Sequence, residues 1–121
     1  MQKKMILSGV AVSLWLISQA ALAHAHLKSS EPADKAEIAA SPQALTLSFT
    51  EDVEPAFSGV TLLDAGKKPV AGGKALLDAK QHNRLIVPLK APLPAGDYQV
   101  NWHVLSVDGH KTQGSYRFSV K

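Results

Sequence analysis

Five histidines and one carboxylate have the types and spacing to do chemistry in this sequence: His24, His26, His82, His103, His110 and Asp108. They do not form one cluster. His24 and His26 stand in "ALAHAHLKSSEP" (21–32), where Ala21-Leu22-Ala23 has the small-residue form of an export cleavage site. A cut after Ala23 makes His24 the first residue and gives it two nitrogen donors, a free α-amine and an imidazole. An α-amine has a pKa of about 7.7–8.0, so a metal ion displaces its proton near neutral pH. The two nitrogens can close a chelate ring on one ion. Amine and imidazole donors suit tetragonal geometry, and among the divalent first-row ions Cu(II) binds them most tightly.

"SVDGHKT" (106–112) supplies a second pair. Asp108 and His110 are two apart, so in an extended segment both project to one side and can face a single ion. One carboxylate oxygen and one imidazole nitrogen would complete a four-donor set with His24. Asp108-Gly109 is equally a hairpin turn signal, and a turn can hold ligands. A competing site lies at the terminus itself. There the amine, two backbone amides and the imidazole of His26 in third position can wrap Cu(II) or Ni(II) in a square plane, with no part for Asp108 or His110. A cut after Ala25 also satisfies the small-residue rule and would make His26 first. His103 falls on the polar face of its segment beside Gln99 and Asn101, and His82 in the polar loop "KQHNR"; both read as solvent-facing.

Composition narrows the chemistry further. There is no cysteine, which removes disulfides and any thiolate zinc site. Met1 and Met5 are the only methionines, and both precede the cut. The exported protein then has no sulfur donor for Cu(I), which prefers soft ligands. Lys3 and Lys4, the apolar run "MILSGVAVSLWLI" (5–17) and "SQAALA" make the three parts of a secretory signal peptide, too short for a membrane span. The expected organisation is a cleaved leader over 1–23 and one domain of about a hundred residues over 24–121. Of the 13 basic residues, two leave with the leader, against 10 acidic residues that all remain. The lysines are scattered, with no basic stripe interleaved with aromatics, so nucleic acid is not an expected partner.

Short strands must position these residues. "QALTLSFT" (43–50) alternates Leu45, Leu47 and Phe49 with Thr46, Ser48 and Thr50, the period of a strand with one buried face. Further strands are expected around Val60–Leu63, over 84–90, where Pro88 points to an edge or a bulge, and over 97–107 and 114–120. Tyr98, Val100, Trp102 and Val104 share one face, as do Tyr116, Phe118 and Val120. The one helical candidate, "PADKAEIAA" (32–40), is short and lies between prolines. The pattern predicts an all-β, immunoglobulin-like Greek-key sandwich or barrel. Tyr98, just after a Pro/Gly turn at a strand start, has the form of a tyrosine corner.

"HAHLKSSEPA", "LSFTEDVEPAFSGVTL" and "LPAGDYQVNWHVLSVDGHKTQGSYRFSV" resemble the CopC family of periplasmic copper-binding proteins, its YobA-type members most of all. The likeness runs through nearly all of the chain after the cut and is weakest over 67–83. It implies a Greek-key β-barrel related to the immunoglobulin sandwich, in a monomer that binds one Cu(II) ion in the periplasm. The implied ligands are the α-amine and imidazole of His24, the carboxylate of Asp108 and the imidazole of His110. Glu51, in "FTEDVE", matches a family acid at the axial or outer position. The implied role is copper homeostasis or resistance as a carrier or buffer, with no enzymatic activity, and the implied partner is an inner-membrane transporter related to CopD. The methionine-rich Cu(I) loop of some members is absent here, which points to Cu(II) alone.

Two other classes share features with this reading. An N-terminal histidine on copper is also the reactive centre of polysaccharide monooxygenases. So small a domain with few aromatics leaves little surface for a polysaccharide, however, and a ligating carboxylate would occupy the position that oxygen activation needs open. A metal-free immunoglobulin-like interaction module accounts for the strands but leaves His24 and Asp108-Gly109-His110 as coincidence.

Overall fold

The computed structural model describes residues 25–121, so the leader expected over 1–23 and the ligand expected at His24 lie outside the described residues. The alternating segments form strands as predicted. The elements are β1 (Leu27–Glu31), β2 (Glu37–Ile38), β3 (Ala44–Phe49), β4 (Gly59–Leu63), β5 (Leu76–Leu77), β6 (Arg84–Pro88), β7 (Gly96–Leu105) and β8 (Lys111–Val120), with one 3₁₀ turn at Pro55–Phe57. Two four-stranded sheets result, ordered β1-β3-β6-β5 and β2-β8-β7-β4. All pairings are antiparallel except β2 with β8. The chain changes sheet after β1, β2, β3, β4 and β6, which makes the sandwich an interleaved, immunoglobulin-like one.

The inward faces carry the core. Leu45, Leu47 and Phe49 of β3 and Leu85 and Val87 of β6 meet Tyr98, Val100, Trp102 and Val104 of β7 and Tyr116, Phe118 and Val120 of β8, all buried. Phe49 and Trp102 join the two sheets edge to face, with ring centroids 5.2 Å apart. Trp102 lies across Gly114, its partner on β8, where a Cβ would stand 2.6 Å from the indole. No side chain larger than hydrogen fits between them.

Two expectations change. Pro88 is on neither an edge nor a bulge: β6 is flanked by β3 and β5. It is tolerated because it ends the strand, and β5 pairs only with Leu85 and Ile86. The 32–40 segment, a short helical candidate set between prolines, holds a turn and the two-residue β2, in keeping with the all-β pattern. The final strand starts at Lys111, three residues earlier than its alternation suggests, because Lys111, Thr112 and Gln113 pair with Leu105, Val104 and His103.

The tyrosine corner is present. The Tyr98 hydroxyl donates to the Pro94 carbonyl at 2.6 Å, tying β7 to the loop that enters it. Tyr98→Phe removes this bond and leaves a carbonyl short of a donor. The expected cost is about 1–2 kcal/mol, read as a lower urea midpoint at unchanged m-value.

Candidate metal centre

The β7–β8 hairpin closes through 106–110. Gly109 has φ +94°, a left-handed conformation that favours glycine, and its N–H donates to the Ser106 carbonyl at 2.9 Å. The Ser106 N–H donates to the His110 carbonyl at 2.9 Å. Between these residues the Asp108 and His110 side chains come together on one side, as the i, i+2 spacing predicts: Asp108 Oδ1 is hydrogen-bonded to His110 Nδ1 at 3.2 Å. Two donors about 2.0 Å from one ion stand about 2.8 Å apart in a square plane and about 3.3 Å apart in a tetrahedron. The pair thus has the separation of two neighbouring ligands on a single ion.

The same contacts act on the charge of Asp108. A hydrogen bond from the Ser106 hydroxyl and, after it, one from His110 hold its carboxyl below the usual carboxylate range. The sign is that of an anion favoured in the fold, so Asp108 keeps its charge to lower pH than an ordinary aspartate does.

Two further segments converge on the hairpin. Residues 52–54 are laced to its base: Val107 N–H donates to the Asp52 carbonyl at 3.1 Å, Glu54 N–H donates to the Leu105 carbonyl at 2.8 Å, and Val53 bridges Ser106. Glu51, half-buried, is therefore brought beside the hairpin by its backbone. The start of the described chain is pinned as well. Ala25 is fully buried, and its carbonyl accepts from Thr112 Oγ1 at 2.7 Å, two residues past His110. His26 N–H donates to Thr50 Oγ1 at 2.9 Å, and the His26 carbonyl accepts from Thr50 N–H at 2.9 Å.

Among the described residues no third His, Asp or Glu joins Asp108 and His110 in a metal-holding group. Glu51 is thus near through its backbone but outside the pair. His82 and His103 are exposed, as their polar neighbours suggest; the His103 ring packs over Gly59, opposite it on β4. The competing square-planar chelate would use the backbone nitrogens of Ala25 and His26, and in the metal-free fold the His26 N–H is engaged with Thr50 Oγ1.

Sequence reading overlooked Thr50, Thr112 and Ser106. Each is a hydroxyl residue close in sequence to a candidate ligand, a signal too common in β-proteins to single them out.

Comparison with known proteins finds relatives over most of the chain. A protein-family model described as the CopC domain matches residues 27–121. Protein YobA of Escherichia coli (strain K12) is 45% identical over 106 residues, covering 88% of this chain and 86% of that protein. The crystal structure of CopC from Methylosinus trichosporium OB3b superposes with a TM-score of 0.76 at 37% identity, covering 81% of this chain and 94% of the other. PcoC, a methionine-rich copper resistance protein from Escherichia coli, gives a TM-score of 0.74 at 36% identity, covering 82% and 100%.

Proposed function

The chain belongs to the CopC family, and on that premise we propose that it is a periplasmic Cu(II)-binding protein that carries or buffers one copper ion per chain in copper homeostasis or resistance. The observation that carries the reading is the Asp108–His110 pair at 3.2 Å on a hairpin to which Thr112 fastens Ala25. In this reading residues 1–23 are an export signal, and the cut after Ala23 turns His24 into a ligand through its amine and imidazole. Glu51 supplies an axial or outer carboxylate.

Oxidation state follows from the donors. Two imidazoles, an amine and a carboxylate favour Cu(II), whereas Cu(I) prefers softer ligands. The methionine-rich relative differs here, since this chain has only Met1 and Met5, both before the cut. The protein acts by binding and not by catalysis. It works as a monomer that exchanges copper with an inner-membrane transporter of the CopD type.

Competitive Cu(II) titration of naturally exported protein, its first residue confirmed by mass, tests this: one ion per chain is expected. No binding would leave a metal-free interaction module. Copper-dependent peroxide production with a reductant would mark the monooxygenase chemistry instead. Acid is expected to release the ion, with affinity falling steeply below about pH 6, where imidazoles and amines as classes are protonated. Asp108 does not set this limit, because its carboxyl is held ionised to lower pH. The same titration run across the range from neutral to about pH 5 checks it; constant affinity would contradict a nitrogen-rich site.

A further inference from the structure

We propose that Ser106 is the positioning residue of this centre: its buried hydroxyl sets Asp108 and His110 in ligating register before any metal arrives. The proposal rests on the copper reading above. Its basis is the hydrogen-bond accounting of the hairpin. Residues 106 and 110 face each other where a closing pair would exchange two backbone N–H···O=C bonds. Only one is made, from Ser106 N–H to the His110 carbonyl, because the Ser106 carbonyl already accepts from Gly109 N–H. The His110 N–H turns to the Ser106 hydroxyl, at 3.2 Å.

That oxygen therefore substitutes for a backbone carbonyl. Its single proton is given to Asp108 Oδ1, with the His110 carbonyl a second acceptor at 3.2 Å. One hydroxyl thus touches the backbone of one proposed ligand and the carboxylate of the other. Ser106 itself is 1% exposed and packed at the end of the core. The side chains it governs are not buried: Asp108 is 41% and His110 48% exposed. The hydroxyl beneath them holds the Asp108 carboxylate directly and the His110 backbone from which its ring projects.

Outer partners of metal ligands contribute about 10–100-fold in affinity. Ser106→Ala is expected to weaken Cu(II) binding by about that factor and to shift the visible absorption band and EPR parameters of the bound ion. Ser106→Thr, which keeps the hydroxyl, is expected to restore both. A merely structural serine would lower the thermal midpoint of the metal-free protein and leave the Cu(II) dissociation constant and spectra of the folded fraction unchanged, which would overturn the proposal.

Should the alanine variant not fold, Ser106→Thr against Ser106→Val reads the hydroxyl at constant shape, and equal affinities overturn the proposal. Failure of the wild type to bind Cu(II) would instead overturn the copper reading on which this inference stands.

Discussion

His110→Ala is expected to lower the Cu(II) affinity of the exported protein more than a hundredfold, beyond the range that loss of an outer partner produces. The variant removes an imidazole from a pair of donors that the fold sets at ligating separation. Alanine brings no replacement, and among the described residues no third His, Asp or Glu stands in that group to take its place. The backbone bonds of residue 110 survive the change, since both its N–H and its carbonyl still face Ser106. The side chain is half exposed, so the metal-free protein is expected to keep its stability within about 0.5 kcal/mol. Loss of copper with an unchanged unfolding midpoint is the expected result. Equal affinity in wild type and variant would put the ion on His24-Ala25-His26 and reduce Asp108-Gly109-His110 to a turn.

What the sequence disclosed and what it withheld have a common physical cause. Alternation exposes strands that bury one face, so β3, β6, β7 and β8 were legible from Leu45-Leu47-Phe49, Leu85-Val87 and the Tyr98 and Tyr116 runs. β1 and β2 were not, because "LKSSE" and "EI" present mostly exposed positions and are held by pairing with β3 and β8 instead of by an apolar face of their own. The Asp108–His110 pair was legible because its geometry is local, two residues on one side of an extended segment. What fastens it to the rest is not local. Thr112 reaches Ala25, 87 positions away, and Thr50 reaches His26, 24 positions away. No periodicity encodes contacts of that span. Glu51 shows the same limit: resemblance alone selected it over Asp52 and Glu54, and the fold brings its backbone to the hairpin through Asp52 and Glu54, its neighbours.

A retained methionine before His24 gives the second large effect and, combined with His110→Ala, the sharpest test. Acylation turns the α-amine into an amide whose nitrogen no longer offers a lone pair near neutral pH, so the chelate ring loses one of its two donors. The expected loss is again more than a hundredfold, beyond that of an outer partner, measured by competition against the naturally cut protein. The fold is expected to be indifferent, because Ala25 is held through its own carbonyl to Thr112, a bond that the added methionine does not touch. The double variant then decides whether terminus and hairpin serve one ion. Groups that share a partner are non-additive, whereas independent sites add within about 0.5 kcal/mol. If amine and His110 ligate the same copper, either change alone already reduces the centre to a residual weak site, and the second costs far less than it does in the wild type. Full additivity would mean two separate weak sites. The cut at His24 would then contribute nothing to the hairpin beside which Thr112 holds Ala25.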